Sequence, residues 1–153
     1  MTGGGLRTLA VKISGPAPPD DRLRADVPAR GADDPILAGG AVKAARRLLE
    51  KRFPRLKGRF VKGHVAFDRS RTGHEGQSAD LAIAALFYGA ALEHTSRRVR
   101  VQIRPEALLT GDVAPDGEIR PVEESSLPVK VRTAFFSPKT RLVVPAEQQE
   151  VAR

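Results

Sequence analysis

The sequence predicts an α+β fold, with a mixed β-sheet packed against helices. Three observations point there. Apolar residues alternate in short runs near the N-terminus, then recur at helical spacing, so strands lead and helices are interspersed. An Asp116-Gly117 pair between two apolar runs predicts an antiparallel hairpin. The run from Leu81 to Leu92 is apolar on every side, so a helix there must be buried on every side. With 153 residues, one domain can enclose a real core.

Leu6 to Ile13 alternates as a half-buried strand, and Leu23 to Val27 as a second, ended by Pro28. Asp34-Pro35 reads as a helix start. Ala38, Ala41, Ala45, Leu48, Leu49 and Phe53 then form an apolar stripe, with Lys43, Arg46, Arg47 and Glu50 solvated, Gly39-Gly40 weakening the first turns and Pro54 closing the helix. Arg59 to Phe67 is a third strand, with Val61, Val65 and Phe67 inward, and 68–77 a polar loop. The buried helix runs from Ser78 to about His94. Val99, Val101 and Ile103 alternate with Arg98, Arg100, Gln102 and Arg104, which predicts a strand with one basic face, of the kind that protects a sheet edge. Leu108 to Val113 and Glu118 to Val122 flank the hairpin turn. After the polar stretch Glu123 to Ser126, a short helix spans Leu127 to Ser137 with Val129, Val131, Ala134 and Phe135 as its apolar residues. Arg141 to Val144 is a last, buried strand.

Composition narrows the function. Without cysteine there is no disulfide or thiolate metal site, and three scattered histidines (His64, His74, His94) without an HxxxH pair disfavour zinc. No apolar run spans a bilayer and Met1 to Gly5 has no signal-peptide pattern, so a cytoplasmic protein is expected. The net charge of +8 suits nucleic acid or anionic lipid, but many of the charges are arginines in a chain rich in Ala, Gly and Pro, a composition that a genome biased to G and C yields without any acidic partner, and one tyrosine and no tryptophan supply few stacking rings. No Walker A motif is present, so no cofactor is expected in this chain and ATP would act only through a partner module.

Ser78 follows a glycine-containing segment and opens the buried helix, where free N–H groups and the positive dipole end favour an oxyanion. By itself this placement is more often that of a simple N-cap. A serine nucleophile needs a base. No G-x-S-x-G elbow exists and no histidine sits in a local motif, which leaves a lysine whose ammonium is destabilised by burial. Lys130, at the start of the apolar helix, is the candidate; the alternative is an ordinary surface lysine.

Gly76-Gln77-Ser78-Ala79 opening a buried helix resembles the nucleophile motif of the Lon protease proteolytic domain. Thr110-Gly111-Asp112-Val113 with Gly117-Glu118-Ile119-Arg120-Pro121-Val122 resembles the hairpin that follows in that family. Leu127 to Lys130 falls where the family has its catalytic lysine, and Leu142-Val143-Val144-Pro145 resembles the next strand. The resemblance spans almost the whole chain, 1–153, read as a single Lon-like domain. It implies the Lon proteolytic-domain fold, an architecture recurring in ribosomal proteins and small-molecule (GHMP) kinases. It also implies a Ser–Lys dyad endopeptidase for unfolded polypeptides, with Ser78 as nucleophile and Lys130 as general base. Thr110 would hold the lysine amine, and the backbone of Gly76, Gln77 and Ala79 would help form the oxyanion hole. A hexameric ring and an ATPase module, in cis or in trans, are the implied partners. The family continues beyond Pro145 with another strand and helix, which implies a reduced domain or a piece of a longer protein.

Three departures stand out. Asp80 replaces a glycine typical of active members and sets a carboxylate two residues from the nucleophile. Glu75 replaces an aspartate. Glu123 to Ser126 replaces a Gly-Gly pair and is two residues longer, which bears on whether Lys130 reaches Ser78. Ala79-Asp80-Leu81-Ala82 also resembles the Lon-like domains of the DNA repair protein RadA and the helicase ComM, which lack a working dyad. That resemblance implies the alternative: an inactive module for assembly or nucleic-acid binding.

Overall fold

A computed structural model describes residues 9–16, 25–26, 39–54, 61–67, 78–95 and 100–152. The order of elements is β1 (Leu9–Pro16), β2 (Ala25–Asp26), α1 (Gly39–Arg52), β3 (Val61–Phe67), α2 (Asp80–Thr95), β4 (Ala107–Leu109), β5 (Asp112–Val113), β6 (Ile119–Arg120), α3 (Leu127–Phe135) and β7 (Arg141–Val143). The class is α+β, and both strand senses occur. β3 lies between β1, antiparallel to it, and the short parallel β2. β4 pairs with β7 in parallel, and β5 with β6 antiparallel.

Helix α2 organises the core. Because its residues are apolar around the whole circumference, it must find partners on several sides, and it packs against α1, β1, β3 and β5. Ile83, Phe87, Ala91 and Leu92 meet Ala41, Val42, Ala45 and Leu49 of α1 in one buried cluster. Small residues on α1 let the two helices approach closely. Gly40 serves the same end against β5: a Cβ there would lie 2.7 Å from the Val113 carbonyl oxygen. The glycine that weakens the first turn of α1 in isolation is what lets that turn dock.

The structure departs from the sequence expectations at several points. Leu48, placed on the inner stripe, is 51% exposed, and Val42 and Ala44 are buried instead. The stripe is rotated because α1 packs on the narrow, alanine-lined side that fits α2. Residues 100–104 form no strand among the described residues, and Val101 is exposed. This segment crosses α2 at Gly89, where a Cβ would come within 2.9 Å of the Val101 carbonyl oxygen, so it packs on a helix rather than along a sheet. The run from Leu108 to Val113 is not one strand. It breaks at Thr110-Gly111 into β4 and β5, which belong to different sheets. In β7, Arg141 and Val143 face outward, so that strand is half-exposed, not buried. Val129 and Phe135 lie outside as well, at 38% and 81% exposure. The inward placement of Val61, Val65 and Phe67 concerns side chains outside the described residues, as do the start of α1 at Asp34-Pro35 and the loop 68–77.

The Asp116-Gly117 turn is present. Gly117 has φ of 97°, a left-handed conformation that costs glycine little. Ala114 donates to the Glu118 carbonyl across it, and Asp116 Oδ1 accepts from the Glu118 N–H.

Replacing Gly40 by alanine forces a methyl group onto a backbone oxygen, and backbone cannot rotate aside. Gly40→Ala is expected to destabilise the fold by about 1–3 kcal/mol, the usual cost of overpacking, measured by urea unfolding.

Candidate active site

The turn at Ser78-Ala79 leads directly into α2, and it is held by the break between β4 and β5. The Ser78 carbonyl accepts two hydrogen bonds, from the Gly111 N–H at 3.1 Å and from the Thr110 hydroxyl at 3.2 Å. Leu81 N–H returns a bond to the Gly111 carbonyl at 3.0 Å. The first turn of α2 therefore pairs with residues 110–111 much as two strand ends pair. This consumes one of the helix's otherwise unpaired N–H groups. Gly111 is closely packed: a Cβ there would sit 3.3 Å from the end of the Leu81 side chain and 3.5 Å from Pro145. Thr110 is buried, and its own N–H donates to the Val143 carbonyl of β7 at 3.0 Å. One residue thus ties the serine turn to β7.

Lys130 lies on α3, which packs against β7. It is half-buried, and burial pushes its ammonium pKa below the usual lysine value, with the Glu123 carboxylate opposing. Among the described residues its ammonium makes no hydrogen bond or ion pair. A lysine of this kind loses its proton more readily than a solvated one and can serve as a base.

The position of Lys130 rests on how the stretch before it is coiled. Glu124–Ser126 forms a 3₁₀ turn that runs straight into α3. Ser126 donates both its N–H and its hydroxyl to the Glu123 carbonyl, at 3.0 and 2.7 Å. Ahead of the turn, the buried Gln148 amide accepts from the Val122 N–H at 2.9 Å and donates to the Val122 carbonyl at 2.7 Å. Behind it, Leu127 is fully buried. The stretch before α3 is therefore wound into one turn anchored at both ends. Pro128, in the first turn of α3, lacks only an N–H that the helix would not use.

Asp80 is the residue whose state the sequence did not disclose. In the first turn of a helix a carboxylate is ordinarily exposed and favourable to the dipole. Here the side chain is only 4% exposed, and its pKa rises to about 7, first through loss of solvation and then through the nearby Asp112. Below about pH 7 this carboxyl is neutral, so it adds no negative charge next to the serine.

The structure brings Ser78, Ala79, Thr110 and Asp80 together at the start of α2, while Lys130 lies apart on α3, which packs against β7. The Thr110 hydroxyl hydrogen is directed to the Ser78 carbonyl, while its oxygen keeps lone pairs that can accept from an amine. Ala79 is half-buried in the turn and its carbonyl receives the Ile83 N–H at 3.0 Å. Gly76 and Gln77, and Glu75 with them, lie outside the described residues. Among the described residues no group of three acidic or histidine side chains is placed to hold a metal, and no helix is long and apolar enough to cross a membrane. No protein-family model matches the chain, and no curated protein is similar to it.

Two predictions follow from the burial of these groups. A carboxyl whose pKa is raised on folding contributes stability that is complete below its unfolded value near 3.8 and is lost as pH rises to about 7. Asp80→Asn is neutral at every pH and is expected to remove that decline, leaving the variant about 2–4 kcal/mol more stable than the parent above pH 7; denaturant unfolding at several pH values measures it. Gln148→Ala strips both backbone bonds from Val122 and is expected to cost about 1–3 kcal/mol, with faster amide exchange at Val122 as its local signature.

Proposed function

We propose that this chain is a serine endopeptidase of the Lon type, with Ser78 as nucleophile and Lys130 as general base. The observation that supports the reading best is the half-buried Lys130, with its lowered pKa, on a helix packed against the strand that holds Thr110 and, through it, the serine turn. In this mechanism the neutral Lys130 amine takes the Ser78 hydroxyl proton as the oxygen attacks the peptide carbonyl carbon. The resulting oxyanion is stabilised by N–H groups at the positive end of α2. The ammonium then returns the proton to the leaving amine, and an acyl-enzyme remains. Water, deprotonated by the same amine, cleaves the ester and regenerates the hydroxyl. The substrates are unfolded polypeptides, and assembly into a ring fed by an ATPase module belongs to the same proposal.

The buried carboxyl at position 80 favours a second reading, a non-catalytic module of the same fold that serves assembly or nucleic-acid binding. The two separate in one assay. Hydrolysis of fluorescent casein is measured for the intact chain, Ser78→Ala and Lys130→Ala at matched oligomeric state. The peptidase reading expects cleavage to fall at least about a hundredfold in both variants. In Asp80→Asn, where no carboxyl beside the serine ionises near pH 7, it also expects the rate to rise with pH through a midpoint below the usual lysine range, since the base must be deprotonated. Absence of cleavage by the assembled intact chain defeats it and leaves the non-catalytic module.

A further inference from the structure

Helix α3 has two faces, and the outer one is unusual for a solvated helix. Lys130, Val131 and Ala134 are half-buried, while Val129, Arg132, Phe135 and Phe136 are exposed. Arg132, Phe135 and Phe136 stand at i, i+3 and i+4, so they share one side. The two rings are 81% and 75% exposed, which no packing role explains. They lie edge to face, with centroids 5.2 Å apart and planes at 89°, a favoured arrangement for an aromatic pair. The charge along this segment of the chain is of one sign. From Leu127 to Ala146 the chain carries Lys130, Arg132, Lys139 and Arg141 and no acidic residue, although 18 occur in the whole sequence.

We propose that the outer face of α3, formed by Phe135, Phe136 and Arg132, binds single-stranded nucleic acid by stacking bases on the rings and pairing phosphates with Arg132 and the other cations of residues 127–146. Oriented aromatic faces beside cations are what a flexible polyanion with exposed bases requires. A duplex keeps its bases stacked and offers the rings nothing. Two copies meeting through this face about a two-fold axis would bring like charges together. Insertion into a bilayer deep enough to cover Val129 and Phe136 would also draw in Arg132, which lies between them on the helix. The +8 net charge adds long-range attraction for a polyanion. The proposal is independent of the peptidase reading: it uses neither Ser78 nor Lys130, and casein hydrolysis does not report on it.

The test is fluorescence anisotropy with labelled dT20 and rU20 on the whole chain, across a salt series. Binding to both is expected, weakening as salt rises. The double variant Phe135→Leu/Phe136→Leu keeps the apolar surface but removes the rings, and is expected to bind about tenfold or more weakly at unchanged melting temperature. Arg132→Gln is expected to lower the salt slope by about one. Phe135→Trp keeps a ring and is expected to retain binding, which preserves the test if the leucine variant is unstable. No binding at low salt, or equal affinity of the intact chain and a folded leucine variant, overturns the proposal. So does binding to phosphatidylserine vesicles, or self-association that Phe135→Ala/Phe136→Ala abolishes, when neither oligonucleotide binds.

Discussion

The rest of the site depends on the pairing between the first turn of α2 and the Thr110-Gly111 break. Three hydrogen bonds span it, two into the Ser78 carbonyl and one out from the Leu81 N–H. An apolar helix buried in a core has no polar surface of its own to orient it, so its end is the natural place for directional bonds. The same break sends β4 toward β7 and β5 toward β6, which is why one apolar run serves two sheets. Thr110 then carries the register of β7 to the serine turn. Displacing this residue would disturb two sheets and a helix together.

Around that junction, burial acts on two ionisable groups in opposite senses. It raises the pKa of Asp80 and lowers that of Lys130, because a low-dielectric site disfavours charge of either sign. Each change favours the neutral form. A neutral amine is a base, and a neutral carboxyl does not repel charge developing on a substrate oxygen. The carboxyl beside the serine is therefore compatible with acyl transfer on its acid side and adverse to it once ionised. The residue that seems most damaging on paper is conditional on pH.

The stretch that carries Lys130 is fixed at both ends. Glu124–Ser126 wind into a 3₁₀ turn between the Gln148 clamp on Val122 and the buried Leu127. The buried glutamine replaces, with one side chain, the two bonds a neighbouring strand would have made to Val122. The helix that follows is amphipathic in an inverted way. Its cation-bearing Lys130 side is partly inside, and two phenylalanines are outside.

Local rules made much of the fold legible. The Asp116-Gly117 hairpin, the end of α1 before Pro54, the presence of helix α2, the start of α3 and the α+β class all follow from turn chemistry and periodicity, because those signals act within a few residues; burial of α2 on every side does not hold, since Leu81, Ala84, Ala85 and Tyr88 are only half-buried. Ser78 and Lys130 were visible as candidates because each opens a recognisable helix, whereas Thr110 entered only through the resemblance to the Lon domain and lay within an expected strand. What was not legible depends on contacts between distant segments. Leu48 and Phe135 are apolar at helical spacing, yet only the shape of the neighbouring helix and strand decides which apolar side is covered. The alternation at 99–104 would suit a strand, but it meets Gly89 of a helix and has no strand beside it among the described residues. The protonation of Asp80 and the lowered pKa of Lys130 are set by how much solvent and which charges the fold leaves around them. Sequence by itself determined where helices, turns and reactive side chains occur along the chain. Tertiary structure alone decided which faces are buried and which charges survive, since desolvation belongs to the packed molecule and to no residue within it.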